Sequence, residues 1–146
     1  MKKYIITFVD TENVSPDIVG GLISLVDYTY KDYNNLGYFC FGIDDGKSNI
    51  SVEWKKRLGN PSDFRWISVK GERSKNLVDK SIIRNITRMI NDSYYSPIDV
   101  WVIVSSDGDY CSVIKAIREK GHKVIVASPG TVSEKLRKAC SEFFPL

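Results

Sequence analysis

The sequence predicts an α/β fold built on a mostly parallel sheet flanked by helices. Two observations carry that expectation. Short runs rich in β-branched and aromatic residues alternate with amphipathic stretches along the chain, the pattern of parallel strands joined by right-handed helical crossovers. The runs 4–9 and 99–104 are apolar almost throughout, as strands covered on both faces are.

The elements follow in order. Residues 4–9 form the first expected strand. Ser15-Pro16-Asp17 opens a helix, with Ser15 at the N-cap and Pro16 at the first helical position, reaching about residue 32. A strand at 37–43 is closed by Asp44-Asp45-Gly46. A short helix around 52–58 and a brief strand at 65–69 come next. From 76 to about 92, Val78, Ile82, Ile83, Ile86, Met89 and Ile90 recur at helical spacing. A strand at 99–104 leads to a helix at 110–120, stopped by Gly121 as a C′ glycine. A strand at 122–127 and a helix at 132–144 complete the chain.

The 146 residues match one ordinary domain, residues 1–146, with 42% hydrophobic and 12% aromatic content and no repeat or linker tract. The apolar start of the chain meets Asp10 too soon for a secretory segment, and nothing approaches a membrane span. Cys40, Cys111 and Cys140 fit neither a disulfide framework nor a paired-cysteine zinc pattern. A cytoplasmic location is therefore expected, with no membrane partner. The net charge of +3 is uneven: residues 1–54 carry four Lys/Arg against eight Asp/Glu, residues 55–90 carry ten against three, and residues 91–146 balance. The basic middle suits a polyanion, although a solvated lysine-rich surface accounts for it as well.

In doubly wound sheets, ligands gather beyond the carboxyl ends of the strands. Asp10 follows the first strand, and Asp107 and Asp109, flanking Gly108, follow the strand at 99–104. Each has a plain alternative: Asp10 could end a strand in a turn, and Asp109 could cap the next helix. Asp79 tilts the balance. It shares a helix face with Ile83, Ile86 and Ile90, although it could also serve as a capping-box partner for Asn76. A carboxylate aimed at the core needs a counter-charge. All-oxygen ligands select a hard cation, Mg²⁺ or Mn²⁺. One ion or two would fit that reading, and His122, the single histidine, reads as structural.

Three segments then point to a family. Phe8-Val9-Asp10-Thr11-Glu12-Asn13 resembles the opening of NYN domains, the LabA-like branch of the PIN-like ribonuclease superfamily. Ser74-Lys75-Asn76-Leu77-Val78-Asp79 resembles their central segment. Val104-Ser105-Ser106-Asp107-Gly108-Asp109-Tyr110, followed by Gly121-His122-Lys123-Val124, resembles their third signature, and Ser133 with Leu136 belongs to the closing helix. The resemblance implies a PIN-like, Rossmann-like three-layer α/β/α sandwich and metal-dependent endonuclease cleavage of RNA. It implies Asp10, Asp79, Asp107 and Asp109 as catalytic and metal-site acids, with Asn13 and Ser106 as polar supports. Two positions depart from the pattern: Asn85 and Ser141 stand where many NYN domains have acids.

Lys70, Arg73, Lys75 and Lys80 are candidate phosphate contacts near the acids. Arg84 and Arg88 continue the Lys80 series at four-residue spacing, where solvation of a helix face is an equal explanation. Trp54, Trp66 and Tyr110 could stack on unpaired bases or fill the core, and Cys111 reads as a small buried helix residue. The expected partner is RNA, single-stranded or structured, and homo-oligomerisation stays open. The competing functions are a catalytically silent RNA-binding or assembly module of the same fold and a Toprim-like phosphotransfer domain. The Toprim pattern asks for glutamate where Asp10 stands.

Overall fold

The computed structural model describes residues 2–44, 49–58, 63–71 and 76–146. Six strands, β1 (Tyr4–Asp10), β2 (Asn34–Ile43), β3 (Phe64–Val69), β4 (Ile98–Val104), β5 (Lys123–Ser128) and β6 (Glu142–Pro145), form one sheet. Their order is β3-β2-β1-β4-β5-β6, and every neighbouring pair is parallel. The sheet is thus wholly parallel where the sequence predicted a mostly parallel one. Chain order runs outward from β1 to β3, then crosses back to β4 and runs outward again. The switch in direction lies between β1 and β4.

The α-helices are α1 (Val19–Ser24), α2 (Asn49–Arg57), α3 (Leu77–Ile90), α4 (Cys111–Glu119) and α5 (Glu134–Ala139). They cover both faces of the sheet. In β1, Ile6 and Phe8 join the core that contains Ile82 and Ile86 of α3 and Ile114 and Ile117 of α4. Ile5 and Val9 join the other core, with Leu22 of α1 and Trp54 of α2. That alternation is the period-two geometry of a strand buried on both sides. A fully buried Ile, such as Ile86 or Ile114, contributes about 1.5–3 kcal/mol through burial. The result is a three-layer α/β/α sandwich.

The first helical stretch departs from the expected single helix. Ser15 caps it as predicted, its Oγ accepting from the Asp17 N–H, but Pro16–Ile18 forms a 3₁₀ turn and Leu25–Thr29 a wider π turn on either side of α1. Gly20 and Gly21 in α1 are weak helix formers, which suits so short a regular segment. At the end of α4, Gly121 takes φ +89° and its N–H donates to the Arg118 carbonyl, the left-handed stop that the sequence predicted. Asp45 and Gly46, expected to close β2, lie outside the described residues.

The last expected element needs correction. The helix at 132–144 is in fact α5, followed by the edge strand β6. Cys140 is extended, at φ −80° and ψ 162°, and ends the helix. Ser141 then anchors the new strand: its N–H donates to the Val124 carbonyl at 2.8 Å and its Oγ accepts from the Val124 N–H at 3.0 Å. Phe143 and Phe144 pack on opposite cores, as alternating strand residues must. Among the described residues no helix is long and apolar enough to cross a membrane.

Candidate functional site

Asp10 is the last residue of β1 and is only 4% exposed. The chain turns sharply there, because the N–H groups of Asn13 and Val14 both donate to the Asp10 carbonyl at 3.1 Å. The turn delivers Asn13 to the loop after β4. Its Oδ1 accepts from the Ser106 N–H at 2.8 Å and from the Ser106 hydroxyl at 3.0 Å. Thr11 ties the same loop to β2, donating to the Phe41 carbonyl through its N–H and its hydroxyl.

The loop after β4 is shaped by two short side-chain turns. Ser105 Oγ accepts from the Asp107 N–H at 3.1 Å, and Asp107 Oδ1 accepts from the Asp109 N–H at 2.9 Å. Asp107 therefore caps the 3₁₀ turn Gly108–Tyr110 that leads into α4. The capping role considered for Asp109 falls to Asp107 instead.

Asp79 lies in the first turn of α3 and is 4% exposed, within the buried stripe Val78, Ile82 and Ile86. Asn76 precedes the helix in a left-handed conformation, φ 51°, and makes no side-chain cap. The capping-box alternative for Asp79 is therefore not realised; its Oδ1 accepts from the Lys80 N–H at 2.8 Å.

Asp79, Asp107 and Asp109 each place a carboxylate oxygen within 4.8 Å of the others. Asp10 stands beside this group rather than in it. Its Oδ1 accepts from the Glu12 N–H at 3.2 Å, and its Oδ2 accepts from the Tyr110 hydroxyl at 3.1 Å. Asp10, Asp79 and Asp107 line one small cleft of about 100 Å³, together with Glu12, Asn13 and Asn76. A larger cavity of about 560 Å³, lined by Tyr4, Phe39, Met89 and Tyr95 among others, contains none of the four acids. Size alone would misplace the site.

The electrostatics are those of crowded acids. Burial pushes the Asp10 carboxyl up to about 6, and Asp79 and Asp107 add to the rise. Its bonds from Tyr110 and Glu12 pull the other way. Asp79 is raised chiefly by burial, with Asp107 and Asp109 contributing. Among the described residues no lysine or arginine pairs with any of the four. Converging carboxylates with no lysine or arginine against them among the described residues could hold a divalent cation. Asp79, Asp107 and Asp109 are the residues that could hold it.

The basic candidates divide. Lys80 is exposed next to Asp79, and Lys70 is exposed just after β3. Arg84 and Arg88 are exposed further along α3. Arg73 and Lys75 lie outside the described residues. Trp54 and Tyr110 are each 1% exposed and belong to the core, which removes them as base-stacking surfaces. Trp66 is half-buried on the edge strand, its Nε1 donating to Ser68 Oγ. Cys111 is buried, and His122 packs against Trp101 with ring centroids 6.0 Å apart. The Tyr110 bond to Asp10 was not foreseen. Its one signal was an aromatic residue with a hydroxyl directly after Asp109.

The six-stranded parallel sheet with helices on both faces is consistent with the PIN-like class of three-layer folds. The chain belongs to the NYN domain family, whose model matches residues 4–146. Among solved structures, it is similar to a protein of unknown function from Vibrio parahaemolyticus, with TM-score 0.72 and 16% identity over 99% of this chain and 93% of that one. A homoserine dehydrogenase from S. aureus matches with TM-score 0.45 and 12% identity over 99% of this chain and 33% of the enzyme. No curated protein matches the chain.

Proposed function

We propose that this domain is a divalent-metal-dependent ribonuclease that hydrolyses RNA phosphodiester bonds at the acidic cleft. The observation that carries this reading is the convergence of Asp79, Asp107 and Asp109 within 4.8 Å, with Asp10 beside them. Family membership supports it, since PIN-like domains are nuclease-like folds.

A bound Mg²⁺ or Mn²⁺ would supply activation of water and neutralisation of charge on the phosphodiester. The chain's own residues do the rest. Asp79, Asp107 and Asp109 hold the ion, and Asp10 completes the acidic wall. Asn13 and Ser106 lock together the two loops that carry Asp10 and Asp107. Lys70 and Lys80, with Arg73 and Lys75, contact the phosphates of the RNA and offset its repulsion by the acids. Asn85 does not remove a ligand from this arrangement. Its Nδ2 donates to the Ser81 carbonyl and it lines the apolar cavity, not the acidic cleft. Three buried thiols suit the reducing cytoplasm as the setting.

The test is cleavage of single-stranded and structured RNAs with Mg²⁺, with Mn²⁺ and with EDTA. Wild-type protein should cut only with metal, and Asp107→Asn should abolish cutting. Activity that survives Asp10→Asn and Asp107→Asn together would sink the reading. Metal-independent RNA binding without cleavage would mark an RNA-binding module instead.

A further inference from the structure

Asp10 is held by a hydrogen bond from far along the chain. Asp79 and Asp107 each accept from a backbone N–H one or two residues away. Asp10 receives one such local bond from Glu12, but its Oδ2 is held by a side chain 100 residues further on. That side chain is Tyr110, which is 1% exposed and packs its ring in the core around α3 and α4. A phenylalanine would fill almost the same space. The hydroxyl alone distinguishes them, and it donates to the Asp10 carboxylate.

We infer that Tyr110 is a positioning residue whose hydroxyl fixes the Asp10 carboxylate against the Asp79–Asp107–Asp109 cluster, so that Asp10 faces the same ion. The inference rests on the proposed metal site. The physical case is one of orientation. A carboxylate rotates freely about its last bond unless both oxygens are held, and a misdirected fourth oxygen contributes repulsion without coordination. Glu12 fixes Oδ1 from the loop, and Tyr110 fixes Oδ2 from the start of α4. Partners that orient metal-site carboxylates are typically worth about 10–100-fold in metal affinity or activity.

The experiment measures Mn²⁺ binding by calorimetry for the full chain as wild type, Tyr110→Phe, Asp10→Asn and the double variant. Tyr110→Phe should weaken Mn²⁺ binding about 10–100-fold, and the double variant should bind no more weakly than Asp10→Asn. Such non-additivity is expected only when one residue acts through the other. RNA cleavage by Tyr110→Phe should lose kcat with KM unchanged, which a general loss of folded protein would not mimic once active protein is counted. Wild-type Mn²⁺ affinity in Tyr110→Phe, or fully additive losses in the double variant, would overturn the role of Tyr110. A wild-type protein with no Mn²⁺ affinity would overturn the metal-site reading itself, a different outcome. Should Tyr110→Phe fail to fold, the hydroxyl proton of Tyr110 in the wild type decides the geometry. Slow exchange and proximity to Asp10 by NMR are expected; exchange as fast as that of exposed Tyr94 would refute the bond.

Discussion

Asn13 Oδ1 accepts two hydrogen bonds from Ser106, one from its N–H and one from its hydroxyl, across 93 residues of sequence. The bonds join the loop after β1 to the loop after β4, across the point where the sheet reverses its order. Both residues are exposed, so each bond contributes at the low end of the usual range, about 0.5–1 kcal/mol. Asn13→Ala should therefore lower the unfolding midpoint by about 2–8 °C while reducing RNA cleavage well beyond that modest loss. Thermal melts and cleavage assays at a temperature where both proteins are folded will separate the two effects. An activity change no larger than the stability change would assign Asn13 to structure alone.

Asp107 has two roles that a single substitution can pull apart. Its Oδ1 caps the turn into α4, and asparagine caps as well as aspartate does. Asp107→Asn thus keeps the turn and removes one of three converging charges. Without metal, the variant should be as stable as wild type or more so. Added Mn²⁺ should stabilise wild type by about 2.7 kcal/mol at one hundred times its dissociation constant, and should leave the variant nearly unmoved. Denaturant melts with Mn²⁺ and with EDTA give both readings, and equal Mn²⁺ stabilisation of the two proteins would count against the cluster as a cation site.

Much of this architecture could be read before any coordinates, and the exceptions have physical causes. β1, β4 and α3 were legible because a continuous apolar run and a 3.6-residue stripe each persist for long enough to be unambiguous. Asp79 is buried on α3 with Ile86 of its predicted face, whereas Ile83 and Ile90 of that face are only half-buried and Ile82 is buried instead. β6 was not legible, because Leu136, Ala139 and Phe143 mimic helical spacing across the junction, and a four-residue strand is too short to show its own period. The exchange of capping roles between Asp107 and Asp109 was equally hidden. Either residue can close a turn around Gly108, and the choice depends on Ser105 accepting from the Asp107 N–H. The Tyr110 bond to Asp10 depends on strand register, which brings the start of α4 beside the end of β1.

Lys80 offers a check on where RNA approaches. It is exposed on α3, immediately after an acid of the cluster, so a phosphate bound there lies within reach of the cleft. Lys80→Ala should weaken RNA binding and lower the slope of log affinity against log salt by about 0.7 for a single strand. Metal affinity should stay at the wild-type value. Binding titrations at several salt concentrations supply the slope, and an unchanged slope would place the RNA path elsewhere.

The pH dependence of stability has an unusual sign. Folding raises the Asp10 carboxyl from 3.8 to about 6, so the folded state holds its proton more tightly than the unfolded chain does. Below 3.8 both states are protonated and Asp10 contributes no penalty. Between 3.8 and about 6 the unfolded chain ionises first, and stability falls as pH rises through that window. Above about 6 the penalty is complete, on the order of 3 kcal/mol at about 1.4 kcal/mol per unit. Asp79 is displaced in the same direction by its burial and its acidic neighbours. Metal-free protein should therefore be more stable near pH 5 than near pH 7, the reverse of a carboxylate held by an ion pair. Asp10→Asn should flatten that slope, and saturating Mn²⁺ should invert it, because a bound cation favours the ionised acids. Urea melts at half-unit pH steps in EDTA and in Mn²⁺ will show it. A metal-free protein whose stability rises steadily from pH 5 to 7 would mean that Asp10 is ionised and compensated in the fold.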